Sequence, residues 1–196
     1  MKKKCLNVGC GQDYQEDTDE YEWTNLDKEL TTRADEYFDL NRTYRWPFDD
    51  DTFDIAYCGH IVEHIRELRW FMEELWRVCK DGADIGVISP HPNSEWAWGD
   101  PTHLRAVGEQ TFIFWDSKNI KENIEKKTSF SILNAKAKVE NLKTTLQVNE
   151  ENYKACLDLH FPDGRPDFNS EQFMMFVKSH NDLIDTISFH LKVVKP

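Results

Sequence analysis

The run Lys4-Cys5-Leu6-Asn7-Val8-Gly9-Cys10-Gly11, apolar until it stops on two glycines before any helix can begin, constrains this chain more than any other stretch. It predicts a buried first strand turning into a tight loop. Glycine suits that loop because the backbone must bend sharply, and because a side chain would hold the main chain away from a ligand at the carboxyl end of a sheet. The third glycine of the dinucleotide fingerprint is missing, since Gln12 and Asp13 follow, so a plain tight turn is the competing reading.

Later features fall where one parallel α/β sheet needs them. Asn25-Leu26-Asp27 sets a carboxylate at the end of a second strand, about the distance downstream at which an acidic residue meets a ribose diol. Asp39-Leu40 ends a brief third strand drawn from Thr31 to Asp39. Trp46-Pro47-Phe48 packs a loop ahead of a fourth strand ending at Tyr57-Cys58, and His60-Ile61-Val62-Glu63-His64-Ile65 follows. Ile61, Ile65, Leu68, Met72, Leu75, Trp76 and Cys79 recur at helical spacing, Gly82 reads as the residue beyond that helix, and Ile85-Gly86-Val87-Ile88-Ser89-Pro90 is a fifth strand.

This ordered set resembles class I S-adenosylmethionine-dependent methyltransferases, in the broad group with a Glu-His pair after strand four, over residues 4–90. The resemblance implies a Rossmann-like α/β sheet, mostly parallel with a C-terminal antiparallel strand, and S-adenosyl-L-methionine as cofactor. It would set Asn7, Gly9, Cys10 and Gly11 beside the methionine part of the cofactor, with Asn7 standing where the family commonly has Asp or Glu. Asp27 would bind the ribose hydroxyls, Asp39 and Leu40 the adenine, and Cys58, Gly59 and His60 the sulfonium. In this chain the span from Gln12 to Trp23 lacks the 3.6-residue stripe of the family's first helix, so a loop with at most one helical turn, a shortened first helix, is expected. Few residues precede the first strand, so cover for the active site is expected from later insertions.

Length and charge narrow the partners. At 196 residues one methyltransferase domain, 1–196, is expected, with 4–90 as the cofactor half and 91–196 facing the substrate. Lys+Arg 24 against Asp+Glu 36 leaves a formal charge of -12, which repels a phosphate backbone and argues against nucleic acid. Cys5, Cys10, Cys58, Cys79 and Cys156 form no C-x-x-C pair and suit reduced thiols in a cytoplasmic protein. Cys10 reads as small-residue packing in preference to a nucleophile. No segment reaches transmembrane length and no signal peptide is evident. Nothing in the sequence fixes an oligomeric state.

Beyond Pro90 the character changes. His91-Pro92-Asn93-Ser94-Glu95-Trp96-Ala97-Trp98-Gly99-Asp100-Pro101-Thr102-His103-Leu104-Arg105 carries turn formers, tryptophans and histidines with no period, and is expected to face the substrate. His91, Trp96, Trp98, Asp100 and Arg105 are its candidate substrate residues, the tryptophans either stacking on a sugar or heterocycle or filling a lid. A helix over Glu109–Glu125, a strand or hairpin over Thr128–Gln147, helices over Glu150–His160 and Ser170–Asp185, and a last strand over Thr186–Val194 complete the reading. That order puts a helical insertion before the last strand.

Methyl transfer from a sulfonium needs chiefly alignment of donor and acceptor, and a base only where the acceptor has a proton to lose. His103, beside Asp100 and Arg105, is the first candidate for that base and His64 the second; singly, each histidine reads as a surface or hydrogen-bonded residue. His60-x-x-Glu63-His64 also spells the H-x-x-E-H zinc peptidase pattern, but it falls where the methyltransferase group has Glu-His and no third ligand has a fixed spacing, so no metal site is assigned. The expected activity is methyl transfer to an oxygen or nitrogen of a small-molecule or glycan-like acceptor. The alternative is a cofactor- or partner-binding module on the same fold without transfer, motivated by Asn7 and the missing helix.

Overall fold

A computed structural model describes residues 1–126, 136–148 and 184–196. One seven-stranded sheet has the order β3-β2-β1-β4-β5-β7-β6, built from β1 (Lys3–Val8), β2 (Tyr21–Asp27), β3 (Glu36–Tyr37), β4 (Phe53–Gly59), β5 (Cys79–Pro90), β6 (Val139–Val148) and β7 (Ile184–Val193). The pairings from β3 through β5 are parallel, while β7 is antiparallel to both β5 and β6. From β1 the chain builds outward first to β2 and β3, then returns to the other side of β1 for β4 and β5. That reversal leaves a crevice beyond the carboxyl ends of β1 and β4, where sheets of this kind bind ligands.

A parallel pair needs a long crossover, usually a helix. Between β1 and β2 there is none, not even the shortened one expected, and buried amides do its work. Asn25 is fully buried; its Oδ1 accepts from Gln15 N at 2.8 Å and Asn7 Nδ2 at 3.0 Å, while its Nδ2 donates to Gln15 O and to Asp35 Oδ2. The crossover is thus pinned to the strands by side chains in place of a packed helical face.

The main helix, α1 (Leu68–Val78), buries Leu68, Phe71, Met72, Leu75 and Val78 against the sheet. It ends at Cys79, whose extended backbone passes straight into β5, so Gly82 lies inside that strand and not beyond a helix cap. The pairing shifts between Phe53 and Ile55, and Gly82 takes a left-handed φ of 73° there. Trp46 packs edge-on against Phe71 with ring centroids 5.4 Å apart, so its loop sits on α1.

An ion pair holds that loop. Glu74 Oε2 accepts from Trp46 N at 2.6 Å and from Arg77 Nη2 at 2.7 Å, while Arg77 Nη1 donates to Phe48 O at 2.9 Å. Glu74→Ala strands the buried Trp46 amide and leaves Arg77 with Asp50 as its remaining acidic partner. The expected cost is about 3 kcal/mol, read as a fall in melting temperature of roughly 6–12 °C in a thermal melt. A shift within experimental error would show that the loop does not depend on this pair.

Among the described residues two short helices follow β5, α2 (Glu95–Gly99) and α3 (Ser117–Glu125). The helix expected from Glu109 begins only at Ser117, because Asp116 caps it, accepting from Asn119 N at 2.8 Å through Oδ1 and from Asn141 N at 3.0 Å through Oδ2. Phe112, ahead of that cap, packs on Phe189 of β7 with ring centroids 4.8 Å apart. The helices expected at 150–160 and 170–183 lie outside the described residues, and Ile184 and Asp185, placed at the end of the second, begin β7 instead. Among the described residues no helix is long and apolar enough to cross a membrane.

Candidate active site

A cleft of about 590 Å³ opens at the crevice the strand order creates, lined by Gly9, Gly11, Asp27, Lys28, Phe38, Asp39, Leu40, Asn41, His60, Ile61, His64, Ile65, Arg66, Pro101, Thr102 and Leu104. Small-ligand sites commonly span about 300–1,000 Å³. The tips of β1 and β2 meet in it through direct hydrogen bonds. Gly9 N and Cys10 N both donate to Leu26 O, and Gly11 N donates to Asp27 Oδ2 at 2.8 Å. Asp27 Oδ1 accepts from Glu29 N at 2.9 Å, so the buried carboxylate is held at both oxygens. Each oxygen keeps further acceptor capacity for a ligand hydroxyl.

The bend depends on Gly9. Its φ is 71°, and a Cβ added there would stand 2.7 Å from the Ile61 side chain, which itself lines the cleft. Gly11 also has a positive φ, 50°, but a Cβ there meets no protein atom within 4 Å.

Of the residues expected beside the cofactor, Asn7, Cys10, Cys58 and Gly59 do not line the cleft. Asn7 is buried beneath the turn, where its Nδ2 donates to Asp13 O at 2.7 Å as well as to Asn25. Cys10 is buried, and desolvation, followed by the nearby Asp27 charge, pushes its thiol up to about 11. A thiol so raised stays protonated and unreactive at neutral pH. Cys58 alternates into the core with Ala56, and burial raises its thiol as well. At Gly59 a Cβ would press on Tyr57, with the ring hydroxyl 2.8 Å away, so glycine is needed for packing within β4.

The expected substrate residues are mostly structural. His91 is buried outside the cleft; its backbone N donates to Asp185 O, and its Nδ1 accepts from Asn93 N. Trp96 and Trp98 stand 67% and 70% exposed on α2, away from the cleft wall, and neither fills a lid. Asp100 Oδ1 accepts from Thr102 N and Thr102 Oγ1, forming a turn. Arg105 Nη2 donates to Ile65 O and Arg66 O, strapping its loop to the stretch after β4. Their neighbours Pro101, Thr102 and Leu104 form the cleft wall instead.

The histidines do converge. His64 lines the cleft, and the His103 ring packs edge-on behind it with centroids 4.7 Å apart. His64 Nδ1 lies 3.1 Å from Thr102 Oγ1, whose own proton goes to Asp100 Oδ1, and 3.3 Å from Thr102 O, while His103 Nδ1 lies 3.1 Å from Ala97 O. A carbonyl only accepts, so in both rings Nδ1 is assigned the proton and Nε2 keeps a lone pair. His60 sits at the end of β4 with a φ of 52°, a strained value for a residue with a side chain. Its Nδ1 is 3.5 Å from Glu63 Oε1, and that carboxylate raises the His60 pKa. Glu63 is 1% exposed, and neither of its oxygens has a hydrogen-bond partner among the described residues.

The helix that the peptidase pattern requires is not formed. Val62–His64 is a three-residue 3₁₀ turn, α1 begins only at Leu68, and His60 lies in left-handed backbone before both. Sequence reasoning did not single out Lys28, Phe38, Asn41, Ile61, Ile65, Arg66, Pro101, Thr102 and Leu104, which line the cleft. Lys28 and Asn41 each follow a residue expected in the site, Asp27 and Leu40, and extending those strand ends by one would have found them.

A sheet of this order, with a glycine turn and a carboxylate meeting at its switch point, defines a Rossmann-like α/β fold with its ligand crevice at that point. Residues 6–86 match the family model described as a methyltransferase domain. The fold is similar to a SAM-dependent methyltransferase from Archaeoglobus fulgidus, at 16% identity and a TM-score of 0.56, over 97% of this chain and 86% of that one. It is also similar to the YcgJ protein from Bacillus subtilis, at 11% identity and a TM-score of 0.54, over 100% of this chain and 93% of that one. A third similar structure is the [4+2]-cyclase SpnF, at 14% identity and a TM-score of 0.53, over 100% of this chain and 76% of that one. The match over residues 6–86 and these likenesses support a SAM-dependent methyltransferase and imply S-adenosyl-L-methionine as its cofactor.

Proposed function

We propose that this chain, as a single domain, transfers a methyl group to an oxygen or nitrogen atom of a small-molecule or glycan-like acceptor. The observation that carries the reading is the joining of Gly9, Gly11, Asp27, Asp39 and His64 in one cleft at the switch point. In it the backbone of Gly9 and Gly11 faces the methionine part of the cofactor, Asp27 takes the ribose hydroxyls, and Asp39 and Leu40 take the adenine. His60 stands at the sulfonium. His64, with His103 behind it, forms the catalytic end, and Thr102 and Leu104 flank the acceptor's entry.

The acceptor's lone pair attacks the methyl carbon in line with the carbon–sulfur bond. The new bond to carbon forms as that bond breaks, and its electron pair returns to sulfur. An acceptor hydroxyl or ammonium also gives up a proton; an acceptor that starts as a free amine does so after transfer. The net charge of -12 supports an acceptor other than a nucleic acid backbone. Two arms test this: calorimetric titration with S-adenosylmethionine, then a labelled-methyl screen over pools of sugars, amines, phenols and nucleic acids. The expected result is saturable cofactor binding and label in a small, uncharged or cationic acceptor. Label in nucleic acid alone, or none with cofactor bound, would overturn the acceptor assignment.

A further inference from the structure

We infer that Glu63, His64 and His103 form a binding site for one divalent first-row transition-metal ion at the acceptor end of the cleft. One donor atom from each residue lies within 4.8 Å of the other two, close enough to share an ion after small rotations. Two histidines and a carboxylate with a position left open are a donor set suited to zinc, cobalt or iron in the divalent state.

The independent observation is Glu63. A carboxylate almost completely removed from water costs several kcal/mol unless its oxygens find donors or a cation. Both Glu63 oxygens lack a hydrogen-bond partner among the described residues, and the His60 ring that approaches one of them is half exposed. A metal ion supplies what the carboxylate lacks. The imidazoles are prepared in the way metal ligands usually are. His64 Nδ1 lies against Thr102 Oγ1 and O, and His103 Nδ1 against Ala97 O, contacts that orient both rings and leave Nε2 for an ion.

The supports under the donors are also fixed. Leu104 N donates to Glu63 O at 2.8 Å, Asn41 Nδ2 donates to His64 O at 3.1 Å, and Arg105 ties its loop to Ile65 and Arg66. The two segments that carry the donors are therefore joined by hydrogen bonds on both sides of the cluster. Asp100 Oδ2, 3.8 Å from His103 Nε2, adds negative charge beside the ligand nitrogen. His64 lines the cleft, so an ion on its Nε2 is positioned to hold an oxygen ligand entering there and lower its pKa. Activation of the acceptor then runs through the ion, with the imidazoles as its ligands.

Metal binding is tested on the purified, chelator-treated protein by titration with Co²⁺, followed by visible absorption, with Zn²⁺ competition to confirm a shared site. The expected result is one Co²⁺ per chain with a ligand-field band that Zn²⁺ removes. Glu63→Gln and His103→Ala are each expected to weaken binding at least tenfold, while His190→Ala, on β7 beside Asp84, leaves it unchanged. Far-ultraviolet circular dichroism and a melt establish that each variant is folded, and His64→Ala provides a second ligand variant if Glu63→Gln is not. No saturable binding, or binding that survives both ligand variants or falls with His190→Ala, overturns the proposal. The titration needs neither cofactor nor acceptor, so its failure leaves the methyl-transfer reading standing, and the reverse also holds.

Discussion

Asp27→Ala is expected to weaken S-adenosylmethionine binding about 100-fold, read by isothermal titration calorimetry. In the proposed binding mode the change removes two hydrogen bonds from ribose hydroxyls to a charged acceptor, together worth about 3 kcal/mol at the low end of such bonds. It also frees Gly11 N and Glu29 N, which the carboxylate now holds from either side of the cleft. Asp27→Asn keeps one acceptor oxygen and is expected to fall between the two proteins. Undiminished affinity in a folded Asp27→Ala protein would move the ribose away from β2 and with it the whole orientation of the cofactor.

Gly9→Val is expected to abolish detectable cofactor binding while Gly11→Ala keeps the protein folded with a milder loss. Both positions require left-handed backbone, which costs a residue with a side chain about 1–2 kcal/mol. They differ in surroundings. The first branch atom at Gly9 already overlaps Ile61 at 2.7 Å, and Ile61 is cleft wall, so relieving the overlap distorts the site itself. At Gly11 nothing in the protein is within 4 Å. Calorimetry on both variants, with melts alongside, separates damage to the bend from strain alone. Equal affinity in wild type and Gly9→Val would mean that the first turn is not part of the site.

The parallel half of the sheet was legible in the sequence because each strand end carries its own marker. Glycines end β1, Asp27 ends β2, and alternation fixes β4 and β5. The missing first helix was legible as an absent stripe, but not the amide network that replaces it. Asn7 and Asn25 look like ligand or solvent residues until β1 and β2 are paired with Asn7 opposite Asn25. The same limit applies to the residues expected to face a substrate. Strand alternation says which way Cys58 faces, but an aperiodic loop gives no rule for whether Trp96 or Thr102 meets the cleft. His64 and His103 are 39 positions apart, as their numbers show, and only the folding of that loop back onto the turn after β4 brings them together.

The placement of β7 has a consequence for how the molecule is made. It is the latest strand in sequence, yet it sits in the interior of the sheet, bonded on one side to β5 and on the other to β6. Until that segment leaves the ribosome, two long rows of backbone donors and acceptors stay open, the arrangement most prone to pairing with another nascent chain. This sheet therefore closes only once β7 has been made, and the half that carries the cleft must wait, partly assembled, for its far side to be joined.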